Sequence, residues 1–281
     1  MDVILAETAG FCMGVSLALK KLDSTLEEAT GNRIRTLGPI IHNPQVLEAY
    51  AARGVDVITT PAEAMPGDTV VIRAHGVPQE TERELQARGV TVHDATCPRV
   101  KKAQLLIARQ TERGRTLLLY GEADHPEVRG LLSYADKNAI VFETLDELKE
   151  RVVPGTDYFL AAQTTQDRKL FEKIHEYLKH VSTRPLPVLE TICDATRIRQ
   201  DEAIRIAREV EAMVVAGGRN SGNTRRLVQV VRDQGTPCTH VETADELNAD
   251  DFRGLNRIGL TAGASTPDKI IREIVERLQS F

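Results

Sequence analysis

The sequence predicts an α/β fold: three similar parallel-sheet domains in a pseudo-threefold trefoil about one centre. Three observations lead there. Strand-like runs alternate with amphipathic helical stretches, the pattern of βαβ units and parallel sheets. A lone cysteine stands before a helix at Cys12, Cys97 and Cys193. After each cysteine, strands ending in polar clusters recur in the same order and at similar offsets, which marks an internal repeat.

Taken in order, Val3–Leu5 reads as a strand with no helix before it, placed to complete the third sheet. Cys12, in AETAGFCMGV, is followed by VSLALKKLDSTLEEA, whose Val15, Leu19, Leu22 and Leu26 fall on one helical face. RTLGPIIHNPQV then carries a strand to His42, VDVITTPAEA adds another, and DTVVIRAHGV ends at His75. Cys97 opens PRVKKAQLLIARQTERG, where Pro98 suits a first helical position and Val100, Ala103 and Ile107 form the stripe. RTLLLYGEADHPEV leads to His125 and Glu127, AIVFETLDELKE follows, and DYFLAAQTTQ reaches Thr164. Cys193 leads into DATRIRQDEAIRIAREV, with Ile198, Ile204 and Ala207 as its apolar stripe. AMVVAGGRNSGNT, CTHVETADEL and RIGLTAGAST complete the third copy. The first polar cluster falls 27 to 30 residues after its cysteine and the last 63 to 72. The expected domains are therefore 14–97, 98–192 and 193–281, with 1–13 completing the third. Ligands gather at the carboxyl ends of parallel strands, where every one of these clusters sits.

Composition narrows the function. A chain of 281 residues with 41% hydrophobic and 27% charged residues suits a well-cored protein of two or three domains. A formal charge of −5 and the lack of a basic block argue against nucleic-acid binding. No apolar run approaches the roughly 18 residues of a membrane span. Asp2 stands where an export signal carries Lys or Arg, so a cytoplasmic location is expected.

Four cysteines spread this widely do not suggest a disulfide framework. A single buried cysteine is ordinarily an inert small hydrophobe. Three at equivalent places in a repeat point instead to one shared site. Zinc favours closely spaced pairs such as C-x₂-C, and the chain has none. Iron–sulfur cubes take cysteine thiolates, four when saturated, so three would leave one iron without a protein ligand. The expectation is one 4Fe–4S cluster at the centre of the trefoil, held by Cys12, Cys97 and Cys193, with one open iron acting as a Lewis acid. Cys238, in TPCTHVET, has no counterpart in the other copies and reads as structural.

His42, His75 and His125 occupy strand-end clusters, whereas His93, His175, His180 and His240 do not. A convergent set of histidines suits a compact phosphate ester, with Ser221, Asn223, Ser265 and Thr164 completing the donors. Arg73 reads as half of an ion pair beneath the site or as a further anion contact. Glu127 becomes a proton donor or relay if its pocket raises its pKa. Two motifs mislead. GGRNSGNT spaces two glycines as a P-loop does, but Asn223 stands where the lysine belongs. His125-Pro126-Glu127 imitates a zinc deaminase, yet Pro237-Cys238-Thr239-His240 is not the required P-C-x-x-C.

Together AETAGFCMGV, GPIIHNPQV, RAHGV, DATCP, HPEVRG, QTT, TICDAT, RQ, NSGNT and TAGAST resemble the 4-hydroxy-3-methylbut-2-enyl diphosphate reductases. That family closes the methylerythritol phosphate route to isoprenoids, and the resemblance spans Cys12 to Ser265. It implies a trefoil around a 4Fe–4S cluster on Cys12, Cys97 and Cys193. It also implies diphosphate binding by His42, His75, His125, Ser221, Asn223 and Ser265, Thr164 near the substrate hydroxyl, and Glu127 as proton donor. Reductive dehydroxylation to isopentenyl and dimethylallyl diphosphate would follow, fed by a small electron carrier, ferredoxin or flavodoxin. One departure stands out: some members carry Ser-Ser-Asn where this chain reads Ser221-Gly222-Asn223, leaving only the Gly222 backbone as a substitute donor.

Two rival readings are a mononuclear zinc hydrolase and a non-enzymatic iron–sulfur sensor. The first would be colourless and air-stable. The second would need neither Glu127 nor a diphosphate pocket, and normally carries an output surface such as a basic recognition helix, which the sequence lacks.

Overall fold

The structure, a computed structural model, describes residues 1–28 and 31–281. In chain order, β1 (Asp2–Leu5) leads to α1 (Met13–Glu28), β2 (Ile34–Leu37), α2 (Pro44–Ala51), β3 (Val55–Ile58), β4 (Thr69–Ile72), α3 (Gln79–Ala87) and β5 (Thr91–Asp94). Next come α4 (Pro98–Thr111), β6 (Thr116–Tyr120), α5 (Pro126–Leu132), β7 (Ile140–Phe142), α6 (Leu145–Arg151), β8 (Tyr158–Ala162) and α7 (Arg168–Val181). The last stretch holds α8 (Asp194–Ala207), β9 (Ala212–Ala216), α9 (Gly222–Arg232), β10 (Cys238–Val241), β11 (Arg257–Ala262) and α10 (Asp268–Gln279). The sequence reading carried the first helix to Ala29, which lies outside the described residues. Among the described residues, no helix is long and apolar enough to cross a membrane.

The α/β class with three parallel sheets is the one the sequence predicts. The chain divides into two compact units. Unit 1 comprises Met1–Ser16, Ile41–Ala49 and Cys193–Phe281; unit 2 comprises Leu17–Ile40 and Tyr50–Ile192. Unit 1 holds one sheet, in the order β1-β11-β9-β10. Successive residues of a strand face opposite sides, and β9 shows why AMVVA is apolar throughout. Ala212, Val214 and Ala216 pack with Ile270, Ile271, Ile274 and Leu278 of α10. Met213 and Val215 pack on the other side with Ala203 and Ile206 of α8 and Leu227 and Val231 of α9. A parallel strand covered on both faces needs apolar residues at every position.

Unit 2 holds two sheets, β3-β2-β4-β5 and β7-β6-β8. In β6, Leu118 and Tyr120 meet Phe171, Ile174 and Leu178 of α7, while Leu117 and Leu119 meet Ala103 and Ile107 of α4 and Val128 and Leu131 of α5. Each fully buried side chain of this kind contributes about 1.5–3 kcal/mol. Local signals start the helices: Asp167 accepts the Leu170 N–H at 2.6 Å to cap α7, and Pro98 opens α4.

One strand order recurs in all three sheets. The segment that precedes a cysteine lies at an edge: β1 before Cys12, β5 before Cys97, and Val188, bridged to Leu160, before Cys193. Beside it come the third, first and second strands that follow a cysteine. The edge strand β5 escaped the sequence reading because TVHD is short and half polar. The apolar stripe expected on α8 is also corrected. Ile198 is 48% exposed, and the buried face carries Thr196, Arg199, Gln200, Ala203, Ile206 and Ala207.

Candidate active site

Unit 1 contains Cys12, His42, Cys193, Ser221, Asn223 and Ser265; unit 2 contains His75, Cys97, His125, Glu127 and Thr164. In unit 1, β9 runs out at Ala216 into Gly217, whose φ of +137° only glycine adopts easily. A Cβ there would also lie 2.6 Å from the Thr266 hydroxyl. The turn delivers Ser221 as the cap of α9, its hydroxyl oxygen accepting the Thr224 N–H at 3.4 Å. Asn223, in the first turn, spends its Oδ1 on the Ala264 N–H at 2.9 Å, so its amide NH₂ is the end available to an anion. The Ser265 hydroxyl donates to the His42 carbonyl at 3.1 Å, and the Cys12 N–H donates to the Ala264 carbonyl at 3.1 Å. Ser221, Asn223 and Ser265 are all buried. Hydroxyl and amide groups at strand ends, beside a helix N-terminus, form a cradle suited to an anion.

Unit 2 carries the acid. His125 caps α5, and its Nδ1 accepts the Glu127 N–H at 3.2 Å, which leaves Nε2 as the protonated nitrogen of the neutral ring. His75 meets His125 edge to face, with ring centroids 5.4 Å apart. Glu127 is 1% exposed. Its Oε1 accepts the Thr164 N–H at 2.6 Å and its Oε2 the Thr164 hydroxyl at 2.8 Å. Burial pushes the Glu127 carboxyl up to about 7, against the pull of the two Thr164 hydrogen bonds. Desolvation therefore wins, and Glu127 is a proton-carrying group near neutral pH. Arg73 finds no carboxylate among the described residues, so the ion-pair reading of it is corrected. Burial and the neighbouring Arg129 lower its pKa to about 10, and its guanidinium lies over Gly38.

The three cysteines share one local setting. Cys12 immediately precedes α1, Cys97 caps α4 and Cys193 caps α8. Each is half-buried, and no disulfide forms among the described residues. The Val15 N–H points at the Cys12 sulfur at 3.5 Å, and the Cys97 N–H donates to the Ala74 carbonyl at 2.9 Å. Helix N-termini stabilise negative charge held against them. Cys238 differs: burial pushes its thiol up to about 11, which suits an inert core residue.

The sequence reading assigned no role to Arg199 or Glu202. Arg199 is 4% exposed on α8 and donates to the Gly10 carbonyl at 2.6 Å. Burial lowers its pKa, and the neighbouring Cys12, Cys193 and Glu202 act against that shift. Its Nε finds no hydrogen-bond acceptor among the described residues. A buried cation with Cys12 and Cys193 among its electrostatic neighbours fits an anionic, sulfur-ligated group there, and an all-sulfur donor set suits iron–sulfur chemistry. The signal in the sequence was a polar Arg-Gln pair interrupting an otherwise apolar period.

Half-buried thiols at helix starts are a donor set suited to metal–sulfur chemistry, and a buried carboxyl with its pKa raised to about 7 is suited to holding a proton; both are features of a redox enzyme class. The sequence profile of the LytB protein family matches residues 3–279. A 4-hydroxy-3-methylbut-2-enyl diphosphate reductase of Oleidesulfovibrio alaskensis is 59% identical over the full length of both chains. One from Aquifex aeolicus is 41% identical, covering 100% of this chain and 97% of that one. A solved structure of (E)-4-hydroxy-3-methyl-but-2-enyl diphosphate reductase, described as the terminal enzyme of the non-mevalonate pathway, superposes with a TM-score of 0.70. It is 40% identical over 100% of both chains. A reductase from Plasmodium falciparum shares the fold, with a TM-score of 0.93 at 24% identity over 99% of this chain and 88% of that one. The chain belongs to the LytB protein family and is an oxidoreductase.

Proposed function

We propose that this chain carries out the reaction its relatives are named for, the reductive dehydroxylation of 4-hydroxy-3-methylbut-2-enyl diphosphate in isoprenoid precursor biosynthesis. Two electrons and two protons enter, the allylic C–O bond breaks, a C–H bond forms, and water leaves with isopentenyl or dimethylallyl diphosphate. The observation that carries the reading is the Glu127–Thr164 pair: a buried carboxyl, raised to about 7, hydrogen-bonded to a hydroxyl at the end of β8.

Cys12, Cys97 and Cys193 would hold one 4Fe–4S cluster, which would pass electrons on one at a time and offer one iron without a protein ligand. The histidines His42, His75 and His125 bind the diphosphate together with Ser221, Asn223 and Ser265. The N–H of Gly222, first residue of α9, replaces the serine donor found in some relatives. Thr164 sits near the substrate hydroxyl and Glu127 gives up the proton through it: the Thr164 hydroxyl accepts from protonated Glu127 and donates back once the carboxylate forms. Positioning and fixed dipoles supply the rest of the barrier lowering. A ferredoxin or flavodoxin delivers electrons, and the protein works in the cytoplasm. The three sheets correspond to repeats at 14–97, 98–192 and 193–281, with 1–13 added to the third.

Anaerobic purification followed by iron and sulfide analysis, then turnover of the diphosphate with a chemically reduced dye, tests the reading. A brown protein with about four irons and both isoprenoid products is expected. A colourless, air-stable protein that leaves the diphosphate untouched overturns it.

A further inference from the structure

Helix α8 does two things in unit 1. Its N-terminus carries Cys193, and the buried Arg199 and half-buried Glu202 grip the loop that carries Cys12. Glu202 accepts the N–H groups of Glu7 at 2.9 Å and Thr8 at 3.0 Å and the Thr8 hydroxyl at 2.5 Å. Arg199, three residues earlier and so on the same helical face, donates to the carbonyl of Gly10 at 2.6 Å. Gly10 takes a φ of +101°, which favours glycine, and a Cβ there would come within 3.0 Å of an Asp268 carboxylate oxygen, so the loop also packs closely against the start of α10. The grip reaches from Glu7 to Gly10, ending two residues short of Cys12.

We infer that Arg199 and Glu202 are positioning residues for the thiolate centre: together they set the Cys12 loop against Cys193, and Arg199 supplies the buried positive charge that eases electron entry. The inference rests on the reading that Cys12 and Cys193 ligate an iron–sulfur cluster. The physical case is direct. A guanidinium buried without a carboxylate contact is costly unless other negative charge compensates it. Adding an electron makes a thiolate-ligated centre more negative, and a nearby fixed cation favours that form. Removing the charge therefore lowers the reduction potential. Loosening the loop, by contrast, speeds loss of iron.

The test uses anaerobically purified holoprotein and three variants, Arg199→Met, Arg199→Lys and Glu202→Gln. Iron and sulfide are assayed first. If the unsubstituted protein holds no 4Fe–4S cluster, the underlying reading fails, and this inference with it. Given a cluster, potentials come from redox titration followed by electron paramagnetic resonance, and lability from the rate of iron transfer to a chelator. Arg199→Met should lower the midpoint by about 59 mV, a tenfold shift of a one-electron equilibrium, and raise iron loss. Arg199→Lys, which keeps the charge but not the planar fork, should hold its potential near the parent value and still lose iron several-fold faster. Glu202→Gln should raise iron loss with a smaller change in potential. Equal falls in potential for the Lys and Met variants overturn the charge role. Unchanged iron-loss rates in Arg199→Lys and Glu202→Gln overturn the positioning role; should Arg199→Met fail to fold, Arg199→Gln takes its place in the charge comparison.

Discussion

Glu202 in unit 1 and Glu127 in unit 2 are the same side chain, each gripped by a threonine hydroxyl and backbone N–H donation, two groups at Glu202 and one at Glu127, and their pKa values shift in opposite directions. At Glu202 burial pushes the pKa up, but the Thr8 hydroxyl, the N–H groups of Thr8 and Glu7 and the Arg205 charge outweigh it, and the pKa falls below the usual range. At Glu127 only Thr164 donates, burial is complete, and the pKa rises to about 7. A carboxylate becomes a strap or an acid according to how many donors it meets for the water it gives up. In unit 1 that balance makes an anchor for the loop that leads to Cys12. In unit 2 it makes a group that can part with a proton.

The largest expected effect breaks the division between the units. Cys97→Ser in unit 2 should abolish most of the iron content and visible absorbance just as Cys12→Ser and Cys193→Ser in unit 1 do, checked by metal analysis and spectrum. A serine variant from either unit that keeps its full iron and turnover removes that cysteine from the ligand set.

Glu127→Gln comes next. Loss of a general acid costs about 10²- to 10⁴-fold in kcat, with KM moving far less, as steady-state kinetics with a reduced dye would register. Near-normal kcat takes Glu127 out of the proton path. The parent kcat should also decline as pH rises past about 7, where Glu127 loses its proton. Thr164→Val sharpens the point: it removes the hydroxyl that passes the proton on, so kcat should fall, and it removes one hydrogen bond that favours the ionised form, so the alkaline limb of the remaining activity should move to higher pH.

Stability should show the same carboxyl. Its folded pKa of about 7 exceeds the ordinary 4.5, so between those values the folded chain binds the proton that the unfolded chain releases. The stabilisation is full below pH 4.5 and is lost as pH climbs to 7, roughly 3 kcal/mol in all. Glu127→Gln should flatten that slope in urea denaturation curves measured at several pH values; an unchanged slope assigns it to other groups. The smallest effect belongs to Ser265→Ala in unit 1, which removes one donor to the His42 carbonyl. About 0.5–1.5 kcal/mol of stability should go, with a rise in KM of no more than about tenfold.

Much of this was legible in the chain. AMVVA, YFLAA and TLLLY are continuous apolar runs because both faces of a parallel sheet are covered, and each became a buried or nearly buried strand. Val100, Ala103 and Ile107 form the buried stripe of α4 as their spacing requires. The same rule failed on α8, where Ile198 faces solvent and Arg199 and Gln200 face inward. Periodicity counts apolar residues and is blind to a buried polar group whose partner lies 189 residues away, as Gly10 does from Arg199.

Local order and repetition thus belong to the sequence by itself: where strands and helices start, which thiols open helices, and that one set of strands is written three times. These follow from short-range periodicity, capping and turn chemistry, which neighbours along the chain dictate. Only the tertiary structure decided that Glu127 would keep a proton and Glu202 lose one, and that Arg199 would turn inward toward the Cys12 loop. Burial and hydrogen-bond supply at those residues come from segments remote in sequence, so no local pattern encodes them.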